Sequence, residues 1–334
     1  MRCVLAGAGI ALFTGGRTDV DERMDRYVGG SAAAAQDIAQ ETFIRAFSNL
    51  DQLREPLLAV LVSLLAIPFI AYSRSPNVRE GWTFLAAIVK FGIVAAMLPA
   101  VLNGKEISCA LVEVLPGLSI AFRVDAFGML FALVASFLWI ITSVYSIGYM
   151  RGLDEHAQTR YFCFFAISLS AAVGVAFSAN LLTMYLFYEM LSLATYPLVT
   201  HHQDEEARTS GRKYLLYTVG ASIGLFLPAM LMNYYLTGSL DFSPQGILAG
   251  TASRGTVALL LFMFVFGFAK AAIMPFHSWL PAAMVAPTPV SALLHAVAVV
   301  KVGVFSIVRV ITAIFGTDLL QTLDLSTPLL LVAS

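Results

Sequence analysis

The feature that most constrains this chain is a series of apolar runs, each about as long as a bilayer-spanning helix. A helix needs about 20 apolar residues to cross a hydrocarbon layer roughly 30 Å thick. Such runs lie at 56–72, 82–102, 126–149, 161–179, 181–200, 214–236, 257–274 with a proline-broken continuation to 286, and 290–315. Because a backbone in lipid must satisfy its own hydrogen bonds, the runs predict helices. We expect an all-α integral membrane protein, a multi-helix bundle with eight crossings.

The composition agrees with this fold class and excludes others. Hydrophobic residues make up 59% of the chain and charged residues 12%, against about 45–50% and about 25% in soluble domains. The net charge of −1 does not provide the basic face of a nucleic-acid-binding protein. Three scattered cysteines do not form a disulfide framework or a zinc motif. With no glycine-rich phosphate loop and no CxxC, we expect no bound cofactor or metal.

The chain divides into four parts. Residues 1–55 form a poorly defined N-terminal extension, since the apolar run 4–14 is too short to span and 17–52 is polar. The favoured interpretations are an amphipathic or disordered extension, or a misplaced start codon; a degenerate signal peptide is the alternative. Residues 56–149 hold the first three helices and 150–316 the next five. The apolar run in 317–334 resembles the start of a ninth helix, so we expect a C-terminal truncation.

Lysine and arginine in the short loops predict the orientation. The loops on one side carry only Lys105, Arg123 and Arg254. The loops on the other side carry Arg74, Arg79, Arg151, Arg160, Arg208, Arg212 and Lys213. This bias places the 196–213 loop in the cytoplasm, with the protein in the cell inner (plasma) membrane. Six arginines before residue 56 point the other way.

The most informative residues are charges inside the predicted spans. A charge at mid-bilayer costs around 2.5–3.5 kcal/mol on insertion scales, and such residues usually mark an ion path. Glu189 lies near the centre of 181–200, and Lys270 and Lys301 lie within the last two apolar runs. The alternative for each is a snorkelling charge or a purely structural ion pair. Three deep charges on nearby helices favour a functional role.

Other polar residues have simpler expected roles. Lys90 and Arg309 lie near the ends of their predicted spans, so we expect them to snorkel toward the interface. A mixed-charge loop follows the fifth run. A metal site there is conceivable, but a solvated loop that starts the next helix is favoured for His201, His202, Asp204, Glu205 and Glu206.

Lys270 is followed by a cluster of prolines. Pro275, Pro281, Pro287 and Pro289 lie within twenty residues of it. A proline inside a helix removes a backbone donor and clashes with the preceding turn. Backbone freed at membrane depth must be buried in protein or line a wet cavity. Transporters build ion sites from such broken helices, so the pattern predicts a functional break, with a simple kink as the alternative.

These motifs carry a family resemblance. The segment KAAIMPFHSWLPAAMVAPTPVSALLH at 270–295 resembles the signature of the antiporter-like membrane subunits. That family includes the proton-pumping subunits of respiratory complex I and the large subunits of multisubunit monovalent-cation/proton antiporters. NLLTMYLFYEMLSL at 180–193 is similar to the family's fifth-helix motif. The resemblance runs from about 122 to 309, and 196–202 looks most like the D subunit of the antiporters.

The resemblance implies a fold and site roles. The family has inverted five-helix repeats, each with a broken helix, and 150–316 would be the first. Glu189 matches the glutamate thought to tune its neighbouring lysine, and Lys270 the proposed proton carrier. Lys301 matches the lysine that passes the proton onward, with His295 as a relay. A second repeat is not found in the sequence, so we expect that this chain alone does not complete transport.

Three functions remain open. The first is a proton and monovalent-cation translocating subunit, with other antiporter subunits, protons, Na⁺ or K⁺ and the lipid bilayer as partners. The second is a membrane-arm subunit of a complex I-like NADH:quinone oxidoreductase, whose electron transfer occurs in other chains. The third is a non-transporting, truncated scaffold. In none of these is the chain expected to be a catalyst by itself, and no nucleic acid is expected as a partner.

Overall fold

The computed structural model describes residues 55–115 and 118–333. Our expectations for the N-terminal extension therefore fall almost entirely outside the described residues. Within the described ranges the chain is a helical bundle, which confirms the all-α membrane fold. Its helices are α1 Glu55–Tyr72, α2 Pro76–Leu102, α3 Ala126–Gly152, α4 Gln158–Ala176, α5 Leu181–Val199, α6 Glu205–Thr237, α7 Arg254–Gly267, α8 Trp279–Ala282, α9 Thr288–Phe315, α10 Thr317–Thr322 and α11 Ser326–Ala333.

Five of these helices, α2, α3, α4, α6 and α9, are long and apolar enough to cross a membrane. The other three predicted crossings are present as helices at the expected positions. Two of them, α1 and α7, are apolar but shorter. The third, α5, has 19 residues, which at 1.5 Å per residue gives a length of about 28 Å. Most of α4 is buried among its neighbours, so it forms the centre of the first half of the bundle.

Polar side chains fix where several helices begin. Asp125, Asn180 and Asp204 accept hydrogen bonds from backbone N–H groups three residues further on, at 2.7, 2.9 and 2.7 Å. This is the capping geometry that satisfies otherwise unpaired donors in a first helical turn. The cap at Asp204 confirms that the loop after α5 starts the next helix.

A two-stranded antiparallel hairpin joins α2 to α3, and the sequence analysis did not predict it. Its strands are β1 Ile107–Leu115 and β2 Leu118–Val124. The backbone N–H of Arg123 donates to the Phe177 carbonyl at 2.7 Å, and the Arg123 guanidinium donates to the Phe242 carbonyl at 2.7 Å. The hairpin therefore ties together the loops that follow α4 and α6.

The broken helix differs from the prediction in where it ends. We expected a helix through residue 274, interrupted by Pro275, but α7 ends at Gly267. A single 3₁₀ turn, Ala269–Ala271, follows, and Ala272 is left-handed with φ +56°. The last residue of α7 is closely packed, since a Cβ on Gly267 would lie 2.7 Å from the Phe226 backbone nitrogen. Lys270 is thus inside the break and not on the helix.

Helix α9 crosses this break at a glycine. A Cβ on Gly303 would lie 2.2 Å from the Ala271 nitrogen and 2.7 Å from the Lys270 carbonyl carbon. Contacts this short involve backbone atoms, which cannot rotate away as a side chain can. Gly303 is therefore required for the close approach of α9 to the turn that carries Lys270.

We expect Gly303→Ala to destabilise the fold by about 1–3 kcal/mol, the usual cost of overpacking. The measurement is thermal unfolding of the purified chain in detergent. Gly92→Ala is the matched control, since it is also a helical glycine but a Cβ there meets nothing within 4 Å. Equal unfolding temperatures for the two variants would contradict the packing argument.

Candidate functional site

Lys270 is held by one residue of α5. Its side chain is fully buried, and its Nζ donates to the Tyr188 carbonyl oxygen at 2.7 Å. The same Nζ lies 3.2 Å from the centroid of the Tyr188 ring, a cation–π geometry. In addition, the Lys270 backbone N–H donates to the Tyr188 hydroxyl oxygen at 3.3 Å. Sequence reasoning missed Tyr188, although it directly precedes Glu189.

Glu189 lies beside this contact but does not pair with Lys270. Its carboxylate is close enough for an electrostatic interaction with the lysine, yet the two groups form no ion pair in the described part of the chain. Its Oε1 is buried and has no hydrogen-bond partner among the described residues. Unsatisfied buried polar atoms are rare in folded proteins and often belong to functional sites. The structure therefore places an unpaired carboxylate near the Lys270 amine, and the roles of the two groups in proton transfer stay a prediction.

The break around Lys270 is closed by polar contacts to the backbone. Trp279 Nε1 donates to the Ala269 carbonyl at 2.9 Å, which also accepts the Ala272 N–H of the 3₁₀ turn at 3.0 Å. Thr195 and Tyr214, both fully buried, share a hydrogen bond of 2.6 Å between their hydroxyls. Three further hydroxyl residues of α5 and α6 are also fully buried, namely Ser192, Thr218 and Ser222.

Lys301 is not part of this cluster. It is exposed and lies in an apolar groove of about 290 Å³ between α3 and α9, with Phe131 and Phe305 among the lining residues. The inward face of α9 instead presents residues such as Val302 and Gly303. Helical periodicity therefore points Lys301 away from Lys270, so the described chain does not bring these two lysines together. Its role in proton transfer stays a prediction.

His295 lies on an irregular part of α9. Residues Leu293–Val297 form a π turn, a local widening that is frequent at functional sites. The His295 ring is half-buried, and its Nε2 is buried without a hydrogen-bond partner among the described residues. An unpaired imidazole nitrogen can accept or donate a proton, so a relay role stays a prediction with structural support.

Lys90 is a deep charge that sequence reasoning undervalued. We expected it to snorkel, but its side chain is fully buried. Its Nζ donates to the Leu169 carbonyl at 3.2 Å and lies 5.5 Å from the centroid of the Trp139 ring. Like Lys270, it is held by a carbonyl and an aromatic ring on neighbouring helices. The sequence shows how far Lys90 lies from the end of its span. It does not show that α3 and α4 cover the side chain.

Arg309 also lies inside the protein, contrary to the snorkelling expectation. It is 6% exposed and forms a bidentate ion pair with Asp125, in which its Nη2 donates to Oδ1 at 2.8 Å. The guanidinium also lies 5.0 Å from the centroid of the Phe305 ring. Since Asp125 caps α3, this pair fastens the start of α3 to α9.

The loop after α5 is partly buried, which the solvated-loop interpretation did not predict. The His201 side chain is fully buried, whereas His202 is 34% exposed. Burial, with smaller effects from the charges of His156, Arg160 and His202, lowers the pKa of His201 to about 4. The His201 ring is therefore neutral at physiological pH.

Two families match different parts of the chain. The one described as "NADH:quinone oxidoreductase/Mrp antiporter, TM" matches residues 178–333, and "NADH-Ubiquinone oxidoreductase (complex I), chain 5 N-terminus" matches residues 117–162. The first match contains Glu189, Lys270, His295 and Lys301.

Curated relatives include two antiporter subunits. The A-type subunit of a Na(+)/H(+) antiporter from Alkalihalophilus pseudofirmus is 32% identical over 268 residues, covering 78% of this chain and 32% of the relative. A probable K(+)/H(+) antiporter subunit of type A/B from Rhizobium meliloti is 31% identical over 278 residues, covering 79% and 27%. The chain thus spans about a third of the length of these relatives. Both relatives are of the A type, whereas the motifs favoured a D subunit; the choice of subunit stays a prediction.

Solved structures share the fold. A chain of the archaeal membrane-bound sulfane sulfur reductase has a TM-score of 0.71 at 21% identity, covering 82% of this chain and 56% of that one. A chain of the Mrp complex from Dietzia sp. DQ12-45-1b has a TM-score of 0.67 at 20% identity, covering 79% and 49%. The bundle with its broken helix therefore has the fold of known membrane-complex chains.

We expect Asp125→Asn to destabilise the chain by about 1–3 kcal/mol, because Arg309 loses its counter-charge while buried. The asparagine oxygen still caps α3, so the change isolates the ion pair. Thermal unfolding in detergent is the measurement, and Asp318→Asn, at an exposed position, is the control. Unchanged stability in Asp125→Asn would show that the pair does not fasten α3 to α9.

Proposed function

Because the chain belongs to the family of NADH:quinone oxidoreductase and Mrp antiporter membrane subunits, we propose that it translocates protons and monovalent cations as part of a multisubunit cation/proton antiporter. One observation carries the proposal. Lys270 is fully buried inside a helix break, with the unpaired carboxylate of Glu189 beside its contact residue. Charges are kept at membrane depth chiefly where they serve ion or proton movement.

The geometry supports a protonation switch. Lys270 lies three residues beyond Gly267, the C-terminal end of α7, where the helix dipole favours a cation. The Tyr188 carbonyl and ring stabilise the ammonium without neutralising it. Approach of the Glu189 carboxylate would favour proton uptake by the amine, and its withdrawal would favour release. A lysine held this way can change its charge without breaking a direct ion pair.

The proposed setting is a hetero-oligomeric assembly of membrane subunits in the plasma membrane. The names of the curated relatives include both Na⁺ and K⁺ antiporter subunits, so we propose a monovalent cation as the coupled ion. The role of this chain is to carry the ion path. We propose no catalytic role for this chain by itself.

The second candidate is a membrane-arm subunit of a redox-driven, complex I-like pump. The fold likeness to the sulfane sulfur reductase chain favours it, as does the second family match. Neighbouring genes distinguish the two functions. Small hydrophobic antiporter subunits support the antiporter, whereas quinone-binding and iron–sulfur subunits support the redox pump, whose electron transfer would occur in those other chains.

In the complete assembly, we expect Lys270→Ala to reduce cation-driven proton movement at least about 100-fold, the lower range for a positioned proton-transfer group. The measurement is fluorescence of a pH-sensitive dye in membrane vesicles after a Na⁺ or K⁺ pulse. Lys105→Ala is the control, since Lys105 is exposed in a loop. Normal transport by Lys270→Ala in an intact assembly would end the proposal.

Glu189 is expected to act through its charge. Glu189→Gln should slow transport roughly tenfold, which corresponds to about 1.4 kcal/mol of lost electrostatic stabilisation. Glu189→Asp keeps the charge on a shorter stem and should retain part of the activity. The same vesicle assay compares the three forms, with assembly checked by co-purification of the other subunits. If all three forms transport equally, the carboxylate has only a structural role.

A further inference from the structure

Two loops meet on the arginine-rich side of the bundle, away from Lys270. The loop between α3 and α4 carries Glu155 and His156, and the loop between α5 and α6 carries His201 and His202. We propose that these four residues form a binding site for a divalent transition metal of the zinc type, which cross-links the two loops. This site is separate from the proposed ion path and does not depend on it.

The ligand atoms converge on one carboxylate oxygen. Glu155 Oε2 lies 3.7 Å from His201 Nε2, 3.8 Å from His156 Nδ1 and 4.0 Å from His202 Nδ1. The ligand atoms of Glu155, His156 and His201 all lie within 4.8 Å of one another. In a tetrahedral zinc site with bonds of about 2.0–2.1 Å, neighbouring ligand atoms are roughly 3.4 Å apart. Small side-chain movements therefore suffice to enclose an ion.

Direct hydrogen bonds do not account for this arrangement. Hydrogen bonds between nitrogen and oxygen in proteins have lengths of about 2.7–3.2 Å, and all three distances from Glu155 Oε2 exceed them. The Glu155 carboxylate forms no hydrogen bond to any residue in 55–115 or 118–333. The spacing is too wide for direct contact but suits an ion placed between the groups.

His201 provides an independent observation. Its side chain is fully buried, and Nε2, the ring nitrogen that faces Glu155, lacks a hydrogen-bond partner in the described part of the chain. Leaving a buried polar group unsatisfied costs about 1–3 kcal/mol. A metal bound at Nε2 would take up the lone pair of the nitrogen that faces Glu155. No hydrogen-bond donor from the protein would then be needed at that position.

The tautomer of His156 is fixed in the orientation that a ligand needs. Its Nε2 lies 2.9 Å from the His201 carbonyl oxygen. A carbonyl can only accept, so Nε2 carries the hydrogen, and in the neutral ring Nδ1 keeps its lone pair toward Glu155. Metal-bound histidines commonly donate their second N–H to a carbonyl in this way. Arg160 donates to the same carbonyl at 2.8 Å, so its guanidinium is engaged there.

The donor set selects the metal. Imidazole nitrogens with one carboxylate suit zinc and related first-row ions, whereas Na⁺, K⁺ and Mg²⁺ prefer sites made of oxygen ligands. A bound ion would join the end of α3 to the end of α5 on one side of the membrane. Its expected role is structural, since it would hold fixed the loop that precedes α4 and the loop that follows α5.

The test uses the full 334-residue chain, purified in detergent and stripped with a chelator. Zn²⁺ is titrated in competition with a chromophoric chelator, and Co²⁺ is added as a spectroscopic probe of coordination. We expect one Zn²⁺ per chain, a higher unfolding temperature with Zn²⁺, and the strong visible absorption of tetrahedral Co²⁺. His201→Ala and Glu155→Gln should each weaken Zn²⁺ binding at least about tenfold.

The control is His277→Ala, which removes an exposed histidine outside the cluster and should leave Zn²⁺ affinity unchanged. If His201→Ala does not fold, the Zn²⁺ affinities of Glu155→Gln and His156→Ala test the proposal instead. The His156 side chain is half exposed, so its loss should be tolerated by the fold. Absence of stoichiometric Zn²⁺ binding would overturn the proposal. Equal Zn²⁺ affinity in Glu155→Gln, His156→Ala and His277→Ala would do the same.

Discussion

The contact between the Lys270 ammonium and Tyr188 organises the centre of the bundle. A charged or proton-exchanging amine at this depth needs a polar partner, and the Tyr188 carbonyl at 2.7 Å supplies one. The chain leaves the helix before Lys270, and from this turn the side chain reaches Tyr188 on α5. The early end of α7 at Gly267 is therefore part of the site and not a packing accident.

A break in a helix is tolerated at membrane depth only if the freed backbone groups find partners. Here the Trp279 indole N–H donates to the Ala269 carbonyl, and the Lys270 backbone N–H donates to the Tyr188 hydroxyl. Gly303 lets α9 close over the turn because it has no side chain. The same residues thus bury the break and position the amine, which couples the stability of the fold to its proposed function.

The sequence predicted more of the fold than of the site geometry. Apolar run length sets where helices occur, and the rarity of deep charges singled out Glu189 and Lys270. Burial of individual charges depends on which helices pack together, and one sequence does not contain that information. The sequence therefore did not predict that Lys90 is buried or that Lys301 faces outward. The π turn at Leu293–Val297 also leaves no composition signal, because it changes hydrogen-bond spacing and not residue type.

The buried cations Arg309, Lys90 and Lys270 fall into two groups with different chemistry. Arg309 is paired directly with Asp125, and arginine does not lose its proton in proteins, so this pair can only fasten helices. Lys90 and Lys270 are instead held by carbonyl oxygens and aromatic rings. These partners carry no negative charge, so deprotonation of the lysine leaves no unpaired anion behind. Only the lysines can therefore change charge at small cost to their surroundings. Of these two, Lys270 has a carboxylate close enough to drive the change, which makes it the centre of the proposed path.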